Sequence, residues 1–231
     1  ECFDFTVQAF NLADKYQCPV VLLTDEDMGQ NLRTSLPFDL RKILVDRGRL
    51  AAAQDLGGDG PFRRYALTED GISPRCFLGQ AGGRHMVEGN EHNETGFRDE
   101  SEENRRLMSD KRLRKLEKAP PSDFPSSRVW GSSEAVVGGI LTGSVLGAAL
   151  EARDQWKASG GDIKWLQLRT LWPFPANEVE GFLSSCREAY VLDHNAGGQL
   201  RNLIRSQGIS FRRLRSIRKY SGQAFQPLDI L

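Results

Sequence analysis

The sequence predicts an α/β protein, and three observations point to it. Short apolar runs such as "VVLLTD", "IKWLQL" and "AYVLD" alternate with amphipathic stretches. Those runs are short and continuous, as strands buried on both faces of a mainly parallel sheet require. A long segment without period separates the first run from the rest. The chain has 231 residues, 39% of them hydrophobic, enough for one large core or two small ones, and two units are expected.

The opening "FDFTVQAFNLADKY" reads as an amphipathic helix, with Phe3, Val7, Phe10 and Ala13 at helical spacing. The chain begins at Glu1 without a methionine or a targeting segment, so it is read as a piece of a longer protein. Pro19 then precedes "VVLLTD", expected to be a strand buried on both faces. Asp25 and Glu26 fall at its carboxyl end, where open α/β sheets place their ligands, unless they simply end the strand in solvent.

From about Asn31 to Ser127 glycine, proline and charge dominate, which suits a long connection or lid. One helix interrupts it, from about Glu100 to Glu117. Acids crowd its start and Lys111, Arg112, Arg114, Lys115 and Lys118 crowd its end, the order the helix dipole favours. Met108, Leu113 and Leu116 share a thin apolar face, which places the helix on the surface. Its basic end is read as solvated, with nucleic-acid contact as the rarer meaning.

After the linker "APPSDFPSS" the alternation becomes regular. "RVWGSS" is a strand and turn, and Ala135 to Trp156 a helix. "IKWLQL" is a strand, "LWPFP" a rigid corner, and Asn177 to Ser185 a helix. "AYVLD" is a strand, Gly198 to Gln207 a helix, and "FRRLRSI" the last strand. Gly139, Gly143 and Gly147 recur every fourth residue, a bare helical face on which another backbone can pack. The uncharged run Ala135 to Leu150 is shorter than the ~20 apolar residues of a spanning helix, so no membrane is expected.

Lys+Arg and Asp+Glu balance at 31 each, so net charge draws the chain to neither nucleic acid nor an anionic surface. Cys2, Cys18, Cys76 and Cys186 lie far apart, which excludes a zinc or iron–sulfur motif and suits a reduced, cytoplasmic protein. No P-loop or dinucleotide-binding glycine pattern follows any predicted strand. Ser132 and Ser133 read as helix caps rather than an anion site.

Two loops remain as candidates. "DHNAGGQL", Asp193 to Leu200, joins a strand end to a helix start, where the Asn195 and Gln199 amides would meet a ligand or partner unless they only satisfy the turn. "GNEHNETG", Gly89 to Gly96, offers His92 and Glu94, with His85 nearby, as ligand types for iron or zinc. Their spacing fits no ligand-bearing helix. A loop whose carboxylates and amides tie down backbone N–H groups is the preferred reading, with no metal.

Taken in order, "AFNLADKYQCPVVLLTD", "YALTEDGISPR", "GNEHNETG", "RRLMSDKRLRKLE", "WGSS", "LWPFP" and "NAGGQLRNLIR" resemble the α subunit of the 2-oxoacid:ferredoxin oxidoreductases, of the 2-oxoglutarate type, over nearly the whole chain. The resemblance implies that residues 1–45 end a domain contacting the pyrimidine of thiamine diphosphate, that 46–126 connect, and that 127–231 form a transketolase-C-like domain. It implies thiamine-dependent oxidative decarboxylation of a 2-oxoacid to an acyl-CoA, with electrons passing to ferredoxin. Thiamine diphosphate and magnesium would be shared with a β subunit, that subunit would hold the iron–sulfur cluster, and coenzyme A would be a co-substrate. Catalytic groups would lie upstream of Glu1. Arg75, Glu91, His92, Glu94, Asn195 and Gln199 are then expected at an active-site or interface loop. Left open beside it are a transketolase-like or dehydrogenase-E1-like thiamine enzyme and a non-catalytic interaction domain.

Overall fold

The computed structural model describes residues 1–32, 34–56 and 60–231. They divide into two compact units, Glu1–Leu22 with Leu36–Asp123, and Leu23–Ser35 with Phe124–Leu231.

The first unit opens with α1 (Cys2–Tyr16). Its inward face centres on Leu12 and Tyr16, one turn apart, whereas Phe10 of the expected apolar stripe is 72% exposed. The reason is local: the Tyr16 hydroxyl donates to Asp123, and Lys15 lies 2.6 Å from the same carboxylate, which pins that edge inward. A short helix, α2 (Glu26–Gln30), belongs to the second unit, and α3 (Ala53–Leu56) to the first. Around α3 and on to α4 (Glu102–Glu117) the backbone runs through turns and isolated bridges, Leu50 with Arg75 and His92 with Arg98. Phe62 and Ser73 are buried there and Met108 in α4, so this stretch, α4 and α1 hold a small core of their own.

Ser101 caps α4 by accepting the Asn104 N–H at 3.3 Å. The inward face of α4 differs from the expected one. Met108 and Lys111 are buried, whereas Leu113 is 65% exposed. The helix turns a lysine inward against the Tyr65 ring, whose centre lies 5.9 Å from the ammonium, a tertiary environment that periodicity does not reveal.

"VVLLTD" does not form the expected strand: residues 19–25 are irregular, and Val21 is 75% exposed. A strand of that kind needs ladder partners on both edges. Among the described residues it has none, because every strand of the sheet lies beyond residue 127.

The second unit is a five-stranded sheet of β1 (Arg128–Trp130), β2 (Val137–Leu141), β3 (Lys164–Gln167), β4 (Glu188–Asp193) and β5 (Leu214–Arg218). The order is β1-β3-β2-β4-β5, parallel except for the antiparallel edge strand β1. Helices α5 (Val145–Ala158), α6 (Ala176–Ser184) and α7 (Gln199–Ser206) join the parallel strands, as crossover connections must. Alternation along each strand divides the core. Ile140, Leu166 and Val191 pack with Val179, Phe182 and Ile204 of α6 and α7. Val137, Leu141, Trp165 and Leu192 pack with Val145 and Ala149 of α5. Each large side chain so buried contributes about 1.5–3 kcal/mol.

The expected helix from Ala135 to Trp156 is a correction. Its first third is the central strand β2, and the helix begins only at Val145. The four-residue glycine spacing spans two elements. Gly139 sits in β2 opposite Trp165, and a Cβ there would overlap the indole ring. Gly138 is likewise covered by Phe182 and Cys186. Gly143 takes a φ of 65° in the turn into α5, a conformation that favours glycine. The remaining strands and helices of this unit form where the pattern placed them, with shifts of a residue or so at most ends and of three at the start of β5, which begins at Leu214 rather than Phe211.

Gly139→Ala is expected to destabilise the second unit by about 1–3 kcal/mol through overpacking against Trp165. Urea denaturation followed by tryptophan fluorescence checks this. An unchanged midpoint would show that the indole moves aside freely.

Candidate functional site

The chain leaves β2 toward β3 on one side and returns to β4 on the other. The reversal makes the carboxyl ends of β2 and β4 the switch point of the sheet, the place where open α/β sheets form their ligand crevice. Asp193 closes β4 there and is almost fully buried. Its Oδ1 accepts the Leu200 N–H at 2.8 Å and its Oδ2 the Ser216 hydroxyl at 2.9 Å. One carboxylate thus fastens the start of α7 to β5. Gly198, at a φ of 63°, supplies the left-handed entry to α7.

Asn195 and Gln199 both lie in this loop, but the Asn195 side chain is consumed locally, its Oδ1 accepting the Gln199 N–H at 3.0 Å. Arg218 donates to Ala196 O at 2.8 Å, and His194 Nε2 lies 3.1 Å from Gln223 O with its ring edge-on to Phe225. The loop is rigid before any ligand arrives. At the same mouth, Asp25 accepts N–H bonds from Met28 and Ser144, both at 2.9 Å. It caps α2 and stands at the N-terminus of α5, where the missing Gly143 side chain lets it approach. Burial, the largest single influence, pushes the Asp25 carboxyl up. The Ser144 and Met28 bonds together outweigh it and hold it below the usual value. Asp25 therefore has a structural job at the mouth, although no strand delivers it.

The Gly89–Gly96 loop of the first unit is bound by side chains throughout. Both Glu91 oxygens accept from Arg112 at 2.9 Å, a bidentate pair. Glu94 pairs with Arg63 and accepts the Leu67 N–H at 2.7 Å. Asn93 Oδ1 accepts from Thr95 N–H, the Thr95 hydroxyl and Phe97 N–H. His92 has Nδ1 3.0 Å from Asn90 O and its ring 4.1 Å from that of Tyr65. His85 instead lies beside Gly83 O and Cys76. Arg75 is held by Arg47 O at 2.7 Å and Asp14 at 2.8 Å. The loop residues act together, whereas Arg75 is tied to α1. Among the described residues no three His, Cys, Asp or Glu side chains gather as a metal set. The cysteines sit on four separate segments, an arrangement that does not fit an iron–sulfur cluster.

Arg112 holds the Glu91 carboxyl below its ordinary value of 4.5, against a smaller opposing push from burial. For Glu94, burial is the largest influence and pushes up, but Arg63, the Leu67 N–H and Lys111 together carry the value down. The residues that pattern reading missed are Asp193 as an anchor and Lys111 as a buried cation. An acid at the end of an apolar run before a Gly-Gly pair was the available signal for the first; the second had none.

Comparison with known proteins places this architecture. Residues 134–230 match the family described as pyruvate:ferredoxin oxidoreductase core domain II. The whole chain aligns at 33% identity with 2-oxoacid:ferredoxin oxidoreductase 2, subunit alpha, of Aeropyrum pernix, covering 35% of that protein. It aligns at 30% identity with the 2-oxoglutarate synthase subunit KorA of Methanothermobacter thermautotrophicus, covering 59% of it. Among solved structures, 99% of the chain superimposes on 39% of a 2-oxoglutarate:ferredoxin oxidoreductase chain from Magnetococcus marinus, with a TM-score of 0.84 and 31% identity. That protein was solved with 2-oxoglutarate, coenzyme A and succinyl-CoA bound. The fold is thus that of a ferredoxin-linked 2-oxoacid oxidoreductase core. More particularly, the chain belongs to the 2-oxoacid:ferredoxin oxidoreductase α-subunit family. It spans between a third and three fifths of the length of these relatives.

Two outcomes follow from the geometry. Asp193→Ala is expected to cost about 1–3 kcal/mol, because the Leu200 N–H and Ser216 hydroxyl lose a buried acceptor; chemical denaturation measures it. For the loop, both glutamates have folded values below their unfolded ones, so their stabilisation is complete above pH 4.5 and is lost as pH falls through the folded values. Glu91→Gln should flatten the acid limb of stability against pH and speed amide exchange across Thr68 to Gly96. Identical acid limbs in the two proteins would show that the Arg112 pair contributes nothing.

Proposed function

We propose that the chain is part of the α subunit of an enzyme that oxidatively decarboxylates a 2-oxoacid, 2-oxoglutarate for choice, to its acyl-CoA and passes the electrons to ferredoxin. The superposition of 99% of the chain on the Magnetococcus marinus 2-oxoglutarate enzyme carries this reading. In it, residues 1–45 end a pyrimidine-binding-type domain, 46–126 form the connecting segment, and 127–231 are a transketolase-C-like domain. Thiamine diphosphate, with magnesium, supplies the carbanion chemistry when bound, and the iron–sulfur cluster belongs to a β subunit. The scattered cysteines support that division of labour. No helix among the described residues is long and apolar enough to cross a membrane, which is compatible with a cytoplasmic complex.

On this reading the chain's own residues position rather than react. Glu91, His92 and Glu94 keep the connecting loop in one shape, Arg75 ties the connecting segment to α1, and Asp193 with Asn195 holds the mouth of the sheet rigid. The Gln199 amide is the side chain of this set left to meet a ligand or a neighbouring subunit.

In the complete complex, 2-oxoglutarate and coenzyme A together should drive ferredoxin reduction, and omission of coenzyme A should slow it at least tenfold. Glu94→Ala should lower kcat through a displaced loop. Calorimetry on the isolated chain should show no saturable thiamine diphosphate binding. Coenzyme A-independent activity, or silence with every 2-oxoacid tried, would overturn the assignment.

A further inference from the structure

The basic end of α4 is neither solvated throughout nor arrayed for a polyanion, because two of its lysines turn inward. Lys111 is 5% exposed and Lys115 is half-buried. They lie one turn apart, so their like charges repel on a single face. Arg64, also half-buried, joins them from a turn of the same unit. Two shared neighbours show the convergence. The Lys111 ammonium and the Arg64 guanidinium stand 5.9 and 5.3 Å from the centre of the Tyr65 ring. Arg64 and Lys115 both donate to Gln17, to its side-chain oxygen at 2.7 Å and its backbone oxygen at 2.8 Å. Gln17 itself holds a left-handed φ of 50°, which presents both oxygens to the cluster.

Among the described residues no carboxylate is paired with these three cations. The nearby acids are committed elsewhere: Glu91 to Arg112, Glu94 to Arg63, and Asp14 to Arg47 and Arg75. Among the described residues, no carboxylate stands within ion-pair distance of Lys111, Lys115 or Arg64, and no oxygen accepts a hydrogen bond from Lys111. A buried charge with no partner is the least favourable arrangement a folded protein can keep, and the ordinary resolution is a counter-ion. Burial, with Lys115 and Arg64 adding to it, already pushes the Lys111 ammonium down to about 8.

We propose that Lys111, Lys115 and Arg64 form a binding site for a phosphate monoester, entered from the half-buried Lys115 and Arg64 side. Two negative charges match three cations partly offset by Glu94 better than the single charge of a carboxylate does. Arg64 supplies a planar donor fork, and the lysines supply point charges that adapt to the remaining oxygens. The Tyr65 ring, in tilted contact with the His92 ring of the Gly89–Gly96 loop, makes the site's wall. Phosphate binding would therefore brace that loop.

The test uses the full chain near neutral pH, with inorganic phosphate as the probe and chloride and acetate as controls at equal ionic strength. Thermal melting and phosphorus NMR line broadening are followed. Phosphate should raise the melting midpoint saturably in the wild type, and its apparent affinity should fall at least tenfold in both Lys111→Met and Lys115→Met. Lys157→Met, an exposed lysine elsewhere, should bind as the wild type does. In phosphate-free buffer Lys111→Met should melt no lower than the wild type, since it removes an unpaired buried charge but keeps the apolar stem. Equal phosphate responses in wild type and Lys115→Met would overturn the proposal, as would an effect that acetate reproduces. If Lys111→Met does not fold, Lys115→Met and Arg64→Gln decide by the same NMR titration. These readouts do not involve turnover, so they stand or fall separately from the assigned enzyme activity.

Discussion

The close approach of Trp165 to Gly139 is the constraint on which the sheet depends. A large flat ring lies where a neighbouring strand would ordinarily project a side chain, so β2 and β3 pair only because position 139 is empty. With that pairing made, Val137 and Leu141 face α5 while Ile140 faces α6 and α7, and the apolar set divides cleanly between two layers. A one-residue slip would drive a side chain into the indole and exchange the two faces. The register in turn sets where β2 and β4 end, and hence where the crevice opens.

At that crevice the protein spends charge on shape. Asp193 is buried with both oxygens bonded, and Asp25 satisfies the N-terminus of α5, the kind of site that binds anions. Preorganisation of this kind lets a loop present its remaining groups without an ordering cost on binding. It also explains why residues that look reactive in the sequence are here acceptors for backbone N–H groups.

The first unit is assembled by a different principle. Its apolar core is small, and ion pairs such as Glu91 with Arg112 and Arg75 with Asp14 carry the connections between turns. Exposed pairs contribute little singly, about 0–1 kcal/mol. Here several are partly shielded and share neighbours, so each limits the freedom of the next. That economy leaves a surplus of positive charge around Tyr65, where Lys111, Lys115 and Arg64 meet without an ion-paired acid among the described residues.

The sequence by itself determined the α/β class, the strands and helices beyond residue 160, the capped charged helix and the candidate loops. Those features depend on short-range pattern: apolar runs between turn residues, helix caps, and the order of acids and bases along a helix. Three things were decided only by tertiary structure. Gly139, Gly143 and Gly147 suggested one helix, but the Trp165 and Phe182 rings that fill the space above Gly139 and Gly138 come from distant elements and make a strand of the first part. "VVLLTD" has the composition of a buried strand but finds no ladder partner among the described residues, and hydrogen-bond partners lie outside any local window. Lys111 looks like its basic neighbours in α4, yet it is buried because of what Arg64, Tyr65 and Gln17 bring across the fold. Charge is local information; the dielectric around it is not.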